Sequence, residues 1–559
     1  MISRRSFIKS SAAAAAMTAV STEAAQAAAE TTEAPAKPAA KARPGSPNIL
    51  IFLPDQQNGA TVLPGSPVVK PVMDKFLQEA VAFNSAHCPA PHCCPSRASF
   101  MTGLYPSEHG VYNNVLTNTA IHFNPYPGTE YWGQWLRDAG YATGYAGKLH
   151  VGRDVKPEDC GFEDLSSIEQ GEPDPGRSKR KWNVKETAPA DRQPGEVVRP
   201  DWGSVQLYKT LPNAGPKGYE GMDDYRIMQG GIAGMKKYAA GDKPWCVMIS
   251  NSGGHDVYDA PKKFVDLYDV DKIELPASFR DTLDDKPRVY QRQRYEYWSQ
   301  LSDHETRDAL RHYYAKLSMQ DAIFGEMLQA LEETGQAENT IVIYVSDHGD
   351  YHAAHGLWMK GVPSFQEAYH IPAVVRWPKG TKQPGRQVDA LVDQVDWSAT
   401  ILEACGITPP KKISGASMLP WLRGEAPADW RTASCTQMNG VELYYTQRIV
   451  LTKEWKYVYN GFDYDELYDL RNDPHEMHNL AFPDIAARTK QVQSGEGLTT
   501  GSVPWPVLTA EVEQARKRLV AEMWRFAGEH NDIIFNSYGT VALAPYGPAL
   551  AESAGKEKK

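Results

Sequence analysis

Three stretches of this chain are apolar from end to end and then break off into polar residues. They are Asn48–Pro54 before Asp55-Gln56-Gln57, Trp245–Ser250 before Gly253-Gly254-His255, and Thr340–Val345 before Ser346-Asp347-His348-Gly349. A strand-length run with no polar face suits a strand covered on both sides, as in a parallel sheet between helices. Parallel neighbours need crossovers, and the sequence supplies them. Helical spacing recurs over Pro71–Ala80, Tyr131–Ala139, Tyr225–Tyr238, Glu305–Glu333 and Asp396–Cys405. Further strands are expected at Val81–Cys88, Tyr141–Ala146 and Ile371–Trp377. Strands alternating with helices predict an α/β fold with a large doubly wound mixed sheet flanked by helices. In such sheets ligands collect outside the carboxyl ends of the strands. The polar clusters stand there.

The rest of the chain divides by composition. Ser3-Arg4-Arg5-Ser6-Phe7-Ile8-Lys9, a weakly apolar run and Ala25-Gln26-Ala27 form residues 1–27, which resemble a twin-arginine export signal. That implies the twin-arginine translocase as a partner and a periplasmic or secreted protein. The apolar run is too weak for a stable membrane span. Residues 28–45, rich in Ala, Pro, Lys and Thr, read as a linker, and residues 46–425 as the main α/β domain. Beyond residue 425 short strands are expected at Val441–Thr452, Trp455–Tyr459 and Glu466–Tyr468, with a helix over Ala510–Glu529. Residues 426–559 therefore read as a smaller C-terminal antiparallel sheet with a helix. The polar segments 164–221 and 256–303 read as long surface loops of the kind that shape a substrate mouth. A formal net charge of −10 argues against nucleic acid as a partner.

The densest chemistry lies in CCPSRASFMTG, which starts at Cys93 and ends at Gly103. Pro95 suits the first turn of a helix. Cys93 would then stand just ahead of a helix N-terminus, where N–H groups and the dipole favour anions. Arg97 adds a fork suited to a tetrahedral oxyanion. The stretch reads as a nucleophile in an anion cradle. Two other readings stand beside it. Cys88, His92, Cys93 and Cys94 could form a zinc cluster, although no second ligand pair follows at finger-like spacing, or the cysteines could be buried or disulfide-bonded. Cys160, Cys246, Cys405 and Cys435 are far apart and are expected to be buried or singly paired.

The run C-x-P-S-R-x-x-x-[LM]-T-G resembles the signature of the type I sulfatases, a branch of the alkaline phosphatase superfamily. GKLHVG (147–152), HGLWMKG (355–361) and ELYDLRNDPHEMHNLA (466–481) are similar to further stretches of that family, so the resemblance runs from about residue 47 to about residue 481. It implies that Cys93, not Cys94, is oxidised to formylglycine (3-oxoalanine) by a formylglycine-generating enzyme. On an exported chain this would happen before export. It implies a metal site of Asp55, Gln56, Asp347, His348 and an oxygen of the modified Cys93. Such hard ligands suit Ca²⁺ or Mg²⁺, and the resemblance favours Ca²⁺. Gln56 stands where many members have aspartate, and His348 where many have asparagine. The resemblance also gives Lys148 to the sulfate oxygens, His150 to the formylglycine hydroxyl, and His255 and Lys360 to the leaving-group oxygen. His255 follows Gly254 rather than the more usual proline.

The function implied is hydrolysis of a sulfuric ester. Tyrosine-rich loops and export favour a sulfated carbohydrate. The alternative is a phosphonate monoester or phosphodiester hydrolase, whose members resemble this chain in C-x-P-S-R and in Asp55-Gln56. A non-catalytic binding protein on the same fold is expected to lack several charged site residues, and here they are present. His109, His352 and His355 read as structural.

Overall fold

The computed structural model describes residues 45–117, 119–166, 191–199, 203–441, 444–495 and 508–535. The export signal and nearly all of the linker lie outside these residues.

The three apolar runs form adjacent parallel strands. Asn48–Phe52 lies between Thr340–Val345 and Trp245–Ser250, and all three are buried along their whole length. They form the centre of an eight-stranded sheet. Its order is Arg386–Asp393, Val81–His87, Ala373–Arg376, Thr340–Val345, Asn48–Phe52, Trp245–Ser250, Ala142–Gly147 and Glu163–Asp164. The sheet is mixed because Ala373–Arg376 runs antiparallel to both of its neighbours. The helix Asp223–Ala239 packs on the Ala142–Gly147 and Trp245–Ser250 strands. Beside it lies Asp303–Glu333, the longest helix among the described residues, whose Phe324 packs on Phe52 and Tyr344 of the central strands. Its start is fixed by a capping box, in which Ser302 Oγ accepts from Glu305 N–H at 3.2 Å and Glu305 accepts from Ser302 N–H at 2.9 Å.

A second sheet of four antiparallel strands, Ser434–Met438, Gln447–Leu451, Trp455–Asn460 and Glu466–Asp469, carries the Ala510–Glu529 helix. Trp455, Tyr457, Leu467, Trp524 and Phe526 form its own buried cluster. Among the described residues, no helix is long and apolar enough to cross a membrane.

The reading of 164–221 and 256–303 as loops is corrected in part. Glu196–Arg199 pairs with Gly203–Gln206, and Tyr208–Leu211 pairs in parallel with Tyr258–Pro261 from the other segment. Arg288–Glu296 is helical. These elements are short and polar, so their periodicity is too brief to read, and their partners lie far off in sequence. All seven cysteines are free and buried, so no singly paired thiol occurs.

Candidate active site

The nucleophile stretch forms the helix Cys93–Thr102, buried at every residue and closed by Gly103 in the left-handed conformation (φ 70°). The helix begins at Cys93 rather than at Pro95, so the cysteine is its first residue and not a residue ahead of it. Pro95 still falls in the first turn, where its missing N–H has no carbonyl to meet. The first intrahelical bond comes from Ser96 N–H to His92 C=O. Cys93 is thus presented at the positive end of a helix.

Around the Cys93 sulfur stand His348 Nε2 at 3.2 Å, Lys148 Nζ at 3.4 Å and Asp55 Oδ1 at 3.7 Å. Asp55, Cys93, Asp347 and His348 form a buried group whose ligand atoms all lie within 4.8 Å of one another. Asp55 follows the Asn48–Phe52 strand, and Asp347 and His348 follow Thr340–Val345. His348 is oriented by Nδ1–H donating to Gly349 C=O at 2.9 Å, which leaves Nε2 facing the group. One cation can reach all four residues. With oxygen at position 93, two carboxylates and an imidazole suit a hard ion such as Ca²⁺ or Mg²⁺. With sulfur there, the same set suits Zn²⁺ better. Cys88, His92 and Cys94 do not join this group, and the four-residue zinc cluster is not assembled.

Arg97 organises the carboxylates. Its Nε donates to Asp347 Oδ2 at 2.6 Å, Nη2 to Asp55 Oδ2 at 3.0 Å, and Nη1 to Lys148 C=O at 2.5 Å and to Ser250 Oγ at 2.8 Å. Its side chain is 2 % exposed. The oxyanion fork expected from the sequence is therefore spent on protein groups, and Arg97 fixes ligands rather than facing an incoming anion. Lys148 is the more open cation, with 29 % of its side chain exposed, and it pairs with Asp55.

Charge follows this geometry. Burial opposes ionisation of Cys93, but Lys148, His348 and Lys360 outweigh it and hold the thiol well below its ordinary range. Burial also opposes protonation of His348, yet Asp347, Cys93 and Asp55 push it up to about 9. Asp55 is held far below the usual carboxylate range, because Lys148, Arg97 and His255 overcome the effects of burial and of Cys93.

The remaining expected residues divide. Lys360 and His255 meet, with Lys360 Nζ 2.8 Å from His255 Nε2, and Lys360 also contacts Asp256 Oδ1 at 3.2 Å. His255 Nδ1–H donates to Asp256 C=O at 2.6 Å. Gln56 joins through its main chain, whose N–H donates to Asp347 Oδ1 at 3.0 Å. Its side chain turns to Asp350 and Lys360. His150 Nε2 is 3.0 Å from the sulfur of Cys94, the neighbour of the expected nucleophile, and is also within reach of Cys93. Beside this constellation opens a cavity of about 370 Å³, lined by Asp55, Lys148, His255 and Asp256, with Asp223 and Asp259 farther out.

Three participants escaped the sequence reading: Ser250, Asp256 and Asp350. Each is a polar residue close to the end of an apolar strand or to a chosen histidine. Proximity to those residues is the signal that could have found them.

Comparison with known proteins agrees with this geometry. A sulfatase family model matches residues 47–407, and a model of the N-sulphoglucosamine sulphohydrolase C-terminal region matches residues 353–494. A model of the twin-arginine translocation signal matches residues 1–21, so the chain is exported by that route and is periplasmic or secreted. The choline-sulfatase of Rhizobium meliloti is 29 % identical over 459 residues, which is 78 % of this chain and 83 % of that protein. The N-acetylglucosamine-6-O-sulfatase of Bacteroides thetaiotaomicron is 24 % identical over 504 residues, covering 78 % and 82 %. The phosphonate monoester hydrolase of Agrobacterium radiobacter superimposes with a TM-score of 0.62 at 20 % identity, covering 80 % and 94 %, and so shares the fold.

Proposed function

The chain belongs to the sulfatase family and is a sulfuric ester hydrolase, and we propose that it removes sulfate from a sulfated carbohydrate with formylglycine at position 93. The observation that carries this reading is the meeting of Cys93 with Lys148, Asp55, Asp347 and His348 at the ends of parallel strands. The hydrated aldehyde would supply a hydroxyl nucleophile and, after attack, a second hydroxyl whose ionisation expels sulfate. Asp55, Asp347 and His348 would hold a divalent cation, Ca²⁺ by preference, which would neutralise charge on that oxygen and on the sulfate. Gln56 is the further proposed ligand.

The chain's own groups do the rest. Lys148 is the exposed cation nearest Cys93 and binds the equatorial sulfate oxygens. Arg97 bridges Asp55 and Asp347 and fixes both carboxylates in place. His150, next to position 93, takes the proton of the second hydroxyl. Lys360 donates towards His255 Nε2, so this pair holds one mobile proton beside the cavity for the departing alcohol. The formylglycine-generating enzyme and the twin-arginine translocase are the partners of maturation, and the domain limits 46–425 and 426–559 are part of the same reading.

The relatives' names point to different alcohols, choline and N-acetylglucosamine. A cavity wall carrying Asp223, Asp256 and Asp259 supports sugar hydroxyls as partners of the alcohol. The second reading, a phosphonate monoester hydrolase, is favoured by Asp55-Gln56 and by the shared fold. Rates on N-acetylglucosamine 6-sulfate, choline sulfate and phenyl phenylphosphonate with one protein preparation decide between them. Phosphonate turnover exceeding every sulfate ester would reject the sulfatase reading of the substrate.

A further inference from the structure

Asp350 is fully buried, yet it contacts none of the groups to which the proposed chemistry is assigned except Gln56. Its carboxylate accepts from Gln56 Nε2–H at 2.6 Å, Tyr258 O–H at 2.6 Å and His352 N–H at 2.7 Å. Among the described residues no ion pair reaches it. A buried carboxylate held only by neutral donors is costly unless each lone pair is used. Here the donors come from three segments. Tyr258 lies two residues beyond Asp256, His352 follows the Asp347-His348 turn, and Gln56 follows the first strand.

The decisive contact is that with Gln56. Asp350 Oδ2 takes the amide NH₂ at 2.6 Å, which turns the amide oxygen the other way. That oxygen accepts from Lys360. In the reverse orientation, oxygen would meet the Asp350 carboxylate and NH₂ would meet the Lys360 ammonium. Lys360 cannot enforce the choice throughout the reaction, because its ammonium is needed at the leaving oxygen. Asp350 has no such duty. Gln56 itself is held in a left-handed backbone (φ 57°) by its N–H bond to Asp347, so its side chain starts from a fixed place beside the ligand group.

We propose that Asp350 is a positioning residue that locks the Gln56 amide with its oxygen towards Lys360 and the Asp55, Asp347 and His348 cation group. The proposal rests on the reading of that group as cation ligands. Residues that orient ligands from behind typically govern metal affinity or activity by about 10- to 100-fold.

The test is calorimetric titration of chelator-stripped, full-length mature protein with Ca²⁺, alongside kcat and KM at saturating Ca²⁺. Asp350→Asn can present either end of its own amide and so loses the demand on Gln56. Its Ca²⁺ affinity should fall at least about tenfold. Gln56→Glu should also bind more weakly, because two carboxylates would face each other without a proton. The double variant Gln56→Glu/Asp350→Asn restores a donor–acceptor pair with the roles exchanged, and it should bind Ca²⁺ more tightly than either single variant. Tyr258→Phe removes a different donor from the same carboxylate and should leave Ca²⁺ affinity within about threefold of the parent, well short of a ligand-orienting loss. Parent-like affinity in Asp350→Asn would overturn the proposal. So would a double variant no better than its parents, or a Tyr258→Phe loss as large as that of Asp350→Asn. Parent protein that binds no divalent cation would overturn the cation reading itself. A phosphonate preference would change the substrate and leave the Ca²⁺ result standing.

Discussion

Replacing Arg97 by methionine tests the finding that this side chain holds the site together rather than gripping the substrate. Methionine keeps much of the length and removes the fork. Two charge-assisted bonds are lost, to Asp347 at 2.6 Å and to Asp55 at 3.0 Å, together with the donors to Lys148 C=O and Ser250. Asp55 and Asp347 have no exposure, so water cannot replace these bonds. At about 1.5–3 kcal/mol for each bond to a charged group, the loss is about 3–6 kcal/mol. The cost of stripping one partner from a buried ion pair, about 3–5 kcal/mol, gives the same range. Lys148 still faces Asp55, which places the expected value near the lower end. Equilibrium urea unfolding in a chelator should show a loss of roughly 3–4 kcal/mol. Turnover should collapse with the geometry. A loss below about 1 kcal/mol, the range of an exposed pair, would refute the reasoning.

Three further outcomes follow from the same site and from the junction with the second sheet. His255→Ala should slow alkyl sulfate hydrolysis by about 10²–10⁴-fold and 4-nitrophenyl sulfate hydrolysis far less, since nitrophenolate leaves without a proton. Initial rates on both esters check this, and equal losses would remove His255 from the leaving group. Protein carrying formylglycine at position 93, verified from the peptide mass, should regain activity with Ca²⁺ after chelation, whereas protein with unmodified Cys93 should bind Zn²⁺ in preference. Asp393→Asn should flatten the pH dependence of stability. Burial lifts Asp393 to about 7, with Arg431 opposing and Asp396 assisting. The folded form then holds this proton more tightly than the unfolded chain, so the contribution is complete below about pH 4 and is lost as pH rises towards 7. It amounts to at most about 4 kcal/mol, and urea midpoints at pH 5 and 8 should converge in the variant.

Much of the fold and of the candidate site is legible in the sequence, for a physical reason. A strand covered on both faces has to be apolar throughout, so an acid straight after it contradicts the local pattern and marks a place where burial serves something other than packing. Asp55 and Asp347 announce themselves in this way. Other strands lack that contrast. Ser434–Met438 buries Thr436 and Gln437, and Gln437 is satisfied by Ser107 and Asp532 from distant segments. Its polarity hides the strand, because the partners that satisfy it lie far off in sequence. The same blindness applies to Arg97. The sequence shows five donors in a fork but not which acceptors consume them, so an anion-binding reading was natural and the structure redirects it. His150 illustrates a third limit. Its approach to Cys94 depends on a left-handed turn at φ 54°, which the neighbouring residues do not signal.

The pairing of the two aspartates needs no side-chain argument. Parallel register sets Asn48 beside Thr340 and Phe52 beside Tyr344. Continued at the same offset, it sets Asp55 beside Asp347. Both strands are covered on both faces, so a slip of one residue would exchange the side chains packed against the two covering layers and would separate the two carboxylates in the same step. Core packing and ligand geometry are therefore fixed by one degree of freedom. Two like charges placed together by the register then need a bridging cation. Arg97 reaches both from the helix that also carries Cys93. The nucleophile position is thereby tied to the ligand pair through four residues of one helix. The sheet supplies the acids and the helix supplies both the cation that tolerates them and the group that reacts, which is why CCPSR must enter at the ends of these strands and not elsewhere on the sheet.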